Sequence, residues 1–409
     1  MTAPDRVAVL GAGIMGSCTA LYLARRGIQV DVFDEEPVPC SGASRWNEGK
    51  IHLGYMYAAS QSLETLHALL PGALSFKPLI EDLIGASIDQ ATALSDETYL
   101  VHRNSVIGAA DVAAYHGQVA EVVRQHPHAR QYVVDARASR VHRLTPAEVE
   151  AMTDPTVVLA GFRVLERSVN TAWIADRLTA ALAAEPRVRL FMRHRVVDVP
   201  TGHHPGDRPA VATADEVHPG YDVVVNALWH GRPLVDQRVT GTADAEPNHR
   251  YRLALFVRTR TPVTAPSAVI CAGPFGDIKS YSDRDFYLSW YPAGLVASGR
   301  GIEPPPVPAL GEAERTAVAR ATFDALSDLL PVVRAIRDAA ADVRVEGGWV
   351  YAQAKGTLDD PRSTLHRRDR LGVSWRGRYI SVDTGKYSVA PRLAQQIARR
   401  VADGALDEA

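Results

Sequence analysis

The chain has 409 residues, 46% of them hydrophobic and 22% charged, with a formal net charge of −2. That is enough to bury a large core and suggests two domains, and the near-neutral balance excludes a polyanion partner, so no nucleic acid is expected. Cys18, Cys40 and Cys271 are the only cysteines and lack C-x-x-C spacing; with no apolar run of membrane length, the expectation is a cytoplasmic protein with neither a leader nor a membrane span.

Residues 7–10 are a β-branched run, read as a buried strand. Gly11, Gly13 and Gly16 follow in G-x-G-x-x-G spacing, then an Ala/Leu-rich helix up to Gly27, a second strand over 28–33, and Asp34 at its tip. Gly11 permits the tight turn, Gly13 lets the backbone approach a pyrophosphate on the positive helix N-terminus, and Gly16 lets helix and strand pack closely. Asp34, 23 residues after Gly11, can accept hydrogen bonds from an adenosine ribose and would repel a 2′-phosphate, which argues against NADP.

Residues 37–60 form a glycine- and serine-rich loop of the functional kind. Residues 61–95 read as helical, 98–106 as a strand and 109–123 as a helix. Thr145-Pro146-Ala147-Glu148 is a capping box with proline in the first turn. Thr171 is expected to cap a helix over 172–184 that buries Trp173, Ile174, Leu178 and Leu182; strands follow at 188–191 and 195–199. The sequence GHHP at 202–205 reads as a turn, without a carboxylate or cysteine at ligand spacing, and no metal site is expected. DVVVNA, 222–227, has the continuous apolar pattern of a parallel strand. Residues 249–300 are strand-rich, the proline-rich stretch 301–311 cannot enter a sheet, 312–330 is an amphipathic helix, 343–350 comes next, and 377–404 reads as strand, glycine turn and helix. No second G-x-G-x-x-G and no internal repeat occur.

These segments, in this order, resemble the D-amino acid oxidase/glycine oxidase/sarcosine oxidase (DAO-type) superfamily of FAD enzymes. The resemblance rests on the glycine unit and on SGASRWNEGKIHLG (41–54), RHRVVDV (193–199), VVVNALWHG (223–231) and ISVDTGKYSVAPRLA (380–394). It implies an α/β fold: a Rossmann-type, GR2-like FAD-binding domain from 1–60, 140–230 and 340–409. A discontinuous α+β substrate domain, mainly antiparallel sheet, takes 61–139 and 231–339. It further implies an FAD-dependent amine oxidase or dehydrogenase that oxidises a C–N bond of a small amine or amino-acid-like substrate by hydride transfer to flavin N5, giving an imine.

Carried onto this chain, the resemblance assigns Gly11, Gly13, Ile14, Met15 and Gly16 to the pyrophosphate and Asp34 and Glu35 to the adenosine. Ser44, Arg45, Asn47, Gly49, Lys50 and Ile51 go to the pyrophosphate, ribityl chain and ring, Val196 to a main-chain adenine contact, and Ala227, Gly385, Lys386 and Tyr387 to the flavin. Gly385 is expected to open the last helix, whose N-terminus would stabilise negative charge at the flavin pyrimidine edge. His52, Lys386 and Tyr387 are the catalytic candidates, and Tyr281, Trp290 and Tyr351 candidate substrate contacts. Each has a plainer alternative: a surface ion pair for Arg45, a structural imidazole for His52, a solvated cation for Lys50 and Lys386, core packing for Tyr281, Tyr287, Trp290 and Tyr291. A covalent flavin link through His52 or Cys40 is a further alternative. The chain departs from the family in reading Asn226-Ala227-Leu228-Trp229 where Asn-Ala-Ala-Gly is usual, and it lacks the arginine-proline carboxylate clamp before its last strand. Open alternatives are a monooxygenase or redox-neutral flavin isomerase, a non-catalytic FAD-binding subunit, and an NAD-only dehydrogenase.

Overall fold

The computed structural model describes residues 4–201, 207–242 and 246–406; the 202–205 turn lies outside them. The chain runs β1 (Arg6–Leu10), α1 (Ile14–Ala24), β2 (Gln29–Asp34), β3 (Lys50–Ile51), α2 (Glu64–Ile84), β4 (Glu97–His102), α3 (Ala109–Gln125), β5 (Val141–Arg143), α4 (Pro146–Met152), β6 (Val158–Val164), β7 (Arg167–Ser168), α5 (Thr171–Ala184), β8 (Val188–Met192), β9 (Val196–Asp198), β10 (Val211–Thr213), β11 (Val217–His218), β12 (Val223–Asn226), α6 (Arg232–Thr240), β13 (Pro247–Thr259), β14 (Ser267–Cys271), β15 (Gly276–Ser280), β16 (Asp285–Trp290), α7 (Tyr291–Gly294), β17 (Leu295–Gly299), α8 (Glu312–Leu329), α9 (Val332–Ala339), β18 (Ala340–Gln353), β19 (Gly372–Arg376), β20 (Tyr379–Asp383) and α10 (Ala390–Ala402).

Two sheets organise it. The first has order β19-β20-β12-β1-β2-β8 and is parallel except at β19. Parallel strands are covered on both faces, which is why β1 and β12 carry no polar alternation. Val7, Val9, Val30, Val32, Val223 and Val225 pack on one face in the cluster that includes α1, α2, α5 and α10. Ala8, Leu10, Phe33 and Val224 pack on the other, with Val196, Val199, Val211 and Tyr221 of the small antiparallel β9-β10-β11 sheet and its flanks. Val196, expected at adenine, is buried in that layer.

The second sheet has nine strands, order β17-β13-β16-β15-β14-β4-β6-β5 with β18 on the other edge of β13, and all its pairs are antiparallel except β14 with β4. Period 2 divides it cleanly. Leu253, Leu255, Val257, Phe286 and Leu288 face α8 and α9. β5, β6 and β18 hydrogen-bond within this sheet, so in sheet membership they go with the substrate-side segments, although they fall inside the expected 140–230 and 340–409 blocks.

Three local expectations are corrected. The cap of α5 is Asn170, whose side chain accepts from the Trp173 amide at 3.1 Å; the Thr171 hydroxyl donates instead to the Arg45 carbonyl at 2.6 Å, tying α5 to the loop. The strand expected at 98–106 stops at His102 and a turn follows. Gly385 does not open the last helix: it sits at φ +63°, a 3₁₀ turn over Tyr387–Val389 comes next, and α10 starts at Ala390. The Thr145 capping box is present in full. α2 runs unbroken through Pro71 and Pro78 and ends at Gly85 in left-handed conformation. Among the described residues no helix is long and apolar enough to cross a membrane.

Candidate functional site

The first feature is the turn between β1 and α1. Gly11 has φ +96°, and a Cβ there would lie 2.6 Å from the Ala227 carbonyl oxygen; at Gly16 it would lie 1.8 Å from the Gly11 oxygen. Only glycine lets β1, β12 and α1 approach this closely. The first turn of α1 holds no acidic side chain and Gly13 brings no cap of its own, so its amides keep the positive end of the helix open to an anion. Ser44 reaches across from the loop and accepts from the Ile14 amide at 2.9 Å. Asp34 closes the other side: it accepts from the Ala12 amide at 2.5 Å and the Glu36 amide at 2.9 Å. Burial raises its pKa, against those two bonds. Glu35 is exposed at the tip and pairs with Arg195 at 3.7 Å. Glycine cradle, helix N-terminus and half-buried carboxylate fit an adenine dinucleotide.

The loop from 40 to 57 is fastened from within. Asn47 donates to the Ala43 carbonyl at 2.8 Å and accepts from the Gly49 amide at 2.8 Å. Gly49, φ +63°, passes so close to Val169 that a Cβ would meet its carbonyl oxygen at 1.8 Å, which allows β3 to pair with β7. Asn47 and Gly49 thus shape the loop. Arg45 pairs with Asp176 of α5 at 2.7 Å, the plainer of its two readings. Ile51 is buried and gives its carbonyl to the Tyr132 hydroxyl at 2.8 Å. Lys50 is not the solvated cation of its plainer reading: its ammonium is fully buried, 3.0 Å from Glu97 and 3.6 Å from Glu166. It is one member of a chain of buried charges. Glu97 also pairs with Lys279 at 2.9 Å, Lys279 with Asp277 at 3.1 Å, and Asp277 accepts from Ser289, which accepts from Arg252 at 3.3 Å. Glu166 accepts the Leu53 amide at 2.6 Å and the Tyr99 hydroxyl at 2.5 Å. The segment carrying His52 is therefore held on both sides by buried ions.

His52 is 2% exposed. Its Nε2 lies 3.9 Å from Glu48, and its Nδ1 has no hydrogen-bond partner among the described residues. Burial, then Lys386, Lys50, Lys279 and Arg368, push its pKa well below the usual histidine range, so the imidazole is neutral. Tyr57 is 5.8 Å away ring to ring, and Lys386 Nζ is 6.0 Å from the Tyr57 ring. Burial, then Arg368, Arg250 and Lys50, hold Lys386 down to about 8, while Glu48 acts the other way. Arg250 and Arg368 are the residues that sequence reasoning missed. Arg250 donates to Tyr291 at 3.2 Å; its Nε and Nη2, like Nε of Arg252 and the Tyr57 hydroxyl, are buried without a hydrogen-bond partner. Arg252 stacks over Tyr291 at 4.5 Å. Burial and then Arg250 lower Arg368 to about 10. A narrow cleft lined by Tyr351, Gln353, Thr364, Arg368, Asp383 and Gly385 opens beside them.

The structure brings His52 and Lys386 together and sets other candidates apart. Tyr387 is half-buried; its ring lies 5.8 Å from Phe76, and its hydroxyl feels Cys40 and Cys18 in the core. Trp290 shares the face of Phe286 and Leu288 and packs in the α8 layer near Phe275; strand parity puts Ser289 on the opposite face. Tyr281 donates to the Glu48 carbonyl at 3.1 Å and supports the loop. Tyr351 lines the cleft, 6.0 Å from Trp229 and 5.1 Å from His249. Asp236 accepts from Asn226 at 3.0 Å, Tyr379 at 2.6 Å and Ser381 at 2.7 Å, tying β12 to β20; the Ala227 amide donates to the Leu10 carbonyl at 2.8 Å and the Gly385 amide to Asp383 at 2.9 Å. Cys40 is buried beside Ser17, and burial raises its thiol to about 12.

A family model described as FAD-dependent oxidoreductase (DAO) matches residues 6–367. Kynurenine 3-monooxygenase from Salinispora tropica is 39% identical over 85 residues, 21% of this chain; the match spans only 18% of that relative's length. Glycine oxidase from Geobacillus kaustophilus superposes with a TM-score of 0.67 at 18% identity, over 100% of this chain and 96% of that one. L-α-glycerophosphate oxidase from Mycoplasma pneumoniae, solved with FAD bound, gives 0.64 at 12% identity, over 98% and 95%. At these identities the structural likeness speaks for the fold alone.

Proposed function

The chain belongs to the DAO family of FAD-dependent oxidoreductases, and from that membership we propose that it oxidises the C–N bond of a carboxylate-bearing amine to an imine. The observation that carries the reading is Arg250, whose two unpartnered, buried guanidinium nitrogens stand among Arg368, Lys386 and neutral His52. Buried donors without partners are rare and call for a ligand of matching chemistry. FAD, when bound, supplies the hydride acceptor. Arg250, with Arg368 beside it, holds the substrate carboxylate, since a guanidinium matches both oxygens of a carboxylate. His52 takes a proton from the substrate ammonium at Nδ1, which frees the nitrogen lone pair that the C–N double bond needs. The Glu48 carboxylate beside Nε2 favours the tautomer that leaves Nδ1 as acceptor. The buried rings of Tyr57 and Tyr291 keep water from the reacting carbon.

A second reading has one observation in its favour. A neutral, buried imidazole is also what a 2-hydroxy acid requires, because its hydroxyl proton has to leave as the C–H bond breaks. Anaerobic titration of the FAD-loaded protein separates the two. Bleaching of the flavin absorbance by amino acids or N-alkyl amino acids, and not by the decarboxylated amines, is the expected result. Bleaching by 2-hydroxy acids alone would transfer the assignment to the second reading. Reduction by NAD(P)H alone would point to monooxygenase-type chemistry and overturn both.

A further inference from the structure

We propose that His194, Glu216 and His218 form a binding site for a borderline divalent cation, with zinc as the reference ion, at the adenosine end of the cofactor cleft. The three come from two separate segments. His194 lies in the β8–β9 turn, while Glu216 and His218 lie two residues apart at β11. One ligand atom from each falls within 4.8 Å of the others. Glu216 Oε1 is 3.4 Å from His194 Nε2 and 3.1 Å from His218 Nε2. Ligands about 2.0–2.2 Å from a tetrahedral zinc stand about 3.4 Å from one another, so the arrangement needs little movement to close on an ion.

Two further features favour a metal over a simple ion pair. Nδ1 of His194 lies 2.9 Å from the Met192 carbonyl. A carbonyl can only accept, so Nδ1 carries the proton and Nε2 offers its lone pair, the arrangement by which outer partners orient metal-bound imidazoles. Nε2 of His218 is buried and makes no hydrogen bond despite its closeness to Glu216. Both rings are also fixed by aromatic packing: His218 lies 4.9 Å from Phe33 and 5.1 Å from Phe191, and His194 5.7 Å from Phe191. The Glu216 turn is held by the Thr213 hydroxyl, which accepts from its amide and donates to its carbonyl, both at 3.1 Å. Side-chain exposures of 31%, 56% and 13% for His194, Glu216 and His218 leave the cluster open to water.

The site has a structural tie to the cofactor. The His194 amide donates to the Asp34 carbonyl at 2.8 Å, and the Arg193 amide to the Glu36 carbonyl at 3.0 Å. A bound ion therefore braces the β8–β9 turn against the tip of β2, where the ribose-binding carboxylate stands. By reciprocity, whatever the ion adds to FAD affinity, FAD adds to ion affinity.

The test uses the full chain loaded with FAD and zinc ion alone, with bound metal measured after equilibrium dialysis. One zinc per chain is expected. His194→Gln and His218→Gln should each weaken it by about tenfold or more, as expected for lost ligand-shell contacts; His142→Gln, at an exposed histidine–glutamate pair with no third ligand, should not. Cobalt in place of zinc should show the visible bands of a low-coordinate site, lost in Glu216→Gln. The apparent FAD dissociation constant should be lower in zinc than in EDTA for the parent chain and equal in both for Glu216→Gln. Failure to retain one zinc per chain overturns the site, as does zinc unchanged in both histidine variants, an adventitious ion only. Zinc lost instead on replacing His203 and His204, which lie outside the described residues, overturns it too. Zinc retained with FAD affinity indifferent to it overturns the coupling. Intact flavin absorbance in each variant guards against unfolding.

Discussion

Arg250 and Lys386 place different demands on a substrate. Arg250 offers a planar guanidinium with two buried donors unpartnered among the described residues. Replacing it with methionine should raise the dissociation constant of carboxylate-bearing amines by about 30- to 1000-fold, from the about 2–4 kcal/mol lost when one partner of a buried charge pair is truncated. The limiting rate of flavin reduction should fall much less, and binding of decarboxylated amines should not weaken. Anaerobic stopped-flow reduction across substrate concentrations separates the two parameters. Lys386 titrates. Its pKa near 8 lies below that of an unfolded lysine. Above about pH 8 the folded chain therefore releases a proton that the unfolded chain keeps until about 10.4, so in this window the folded state gains stability as pH rises. Its charge, however, is present only below about 8. Affinity for anionic substrate should fall as pH passes through that value, and the limb should vanish in Lys386→Met and move beyond pH 10 in Lys386→Arg. A pH series of dissociation constants measures it; an unchanged limb in Lys386→Met would assign the titration elsewhere.

At the scale of elements, the site is built by short pieces held by longer ones. β3 has two residues, and the buried chain Glu166–Lys50–Glu97–Lys279–Asp277 joins it to β4 and β15 of the large sheet. Buried ions are costly alone and tolerable only in company. Lys279→Met leaves Glu97 and Asp277 short of a cation and should destabilise the protein by about 3–5 kcal/mol, as breaking a buried pair does. The double variant Lys279→Met, Glu97→Gln should recover part of that loss, and denaturant unfolding of both chains checks it. The confinement of Lys50 and Lys279 is not legible in sequence, because Glu97 and Glu166 come from distant segments and leave no local trace. The alternation of β13 and β16 was readable. Leu253, Leu255 and Val257 face the helices, so Arg250 and Arg252 had to face away; the same parity set Trp290 apart from Ser289. Gly385 misled because a strand–glycine–helix pattern does not reveal that a 3₁₀ turn intervenes.

At the scale of the whole molecule, the proposed cofactor cleft joins segments far apart in sequence: the Gly11 turn, the Asp34 tip, the Ser44 loop and the β12 and β20 ends. FAD should therefore stabilise the chain as a unit. At a hundred times its dissociation constant the gain should be about 2.7 kcal/mol, with amide exchange slowed around both 11–16 and 385–389; protection confined to the first segment would show that the C-terminal turn plays no part. By itself the sequence determined the nucleotide-binding unit, the parallel strands and the segment order, because glycine spacing, helix propensity and apolar periodicity act over a few neighbouring residues. Only the tertiary structure decided the charges of the hollow. The neutrality of His52, the lowering of Lys386 to about 8, the burial of Arg250's unpartnered donors and the confinement of Lys50 all depend on desolvation and on groups contributed by distant strands, and neither exists until the two sheets have packed.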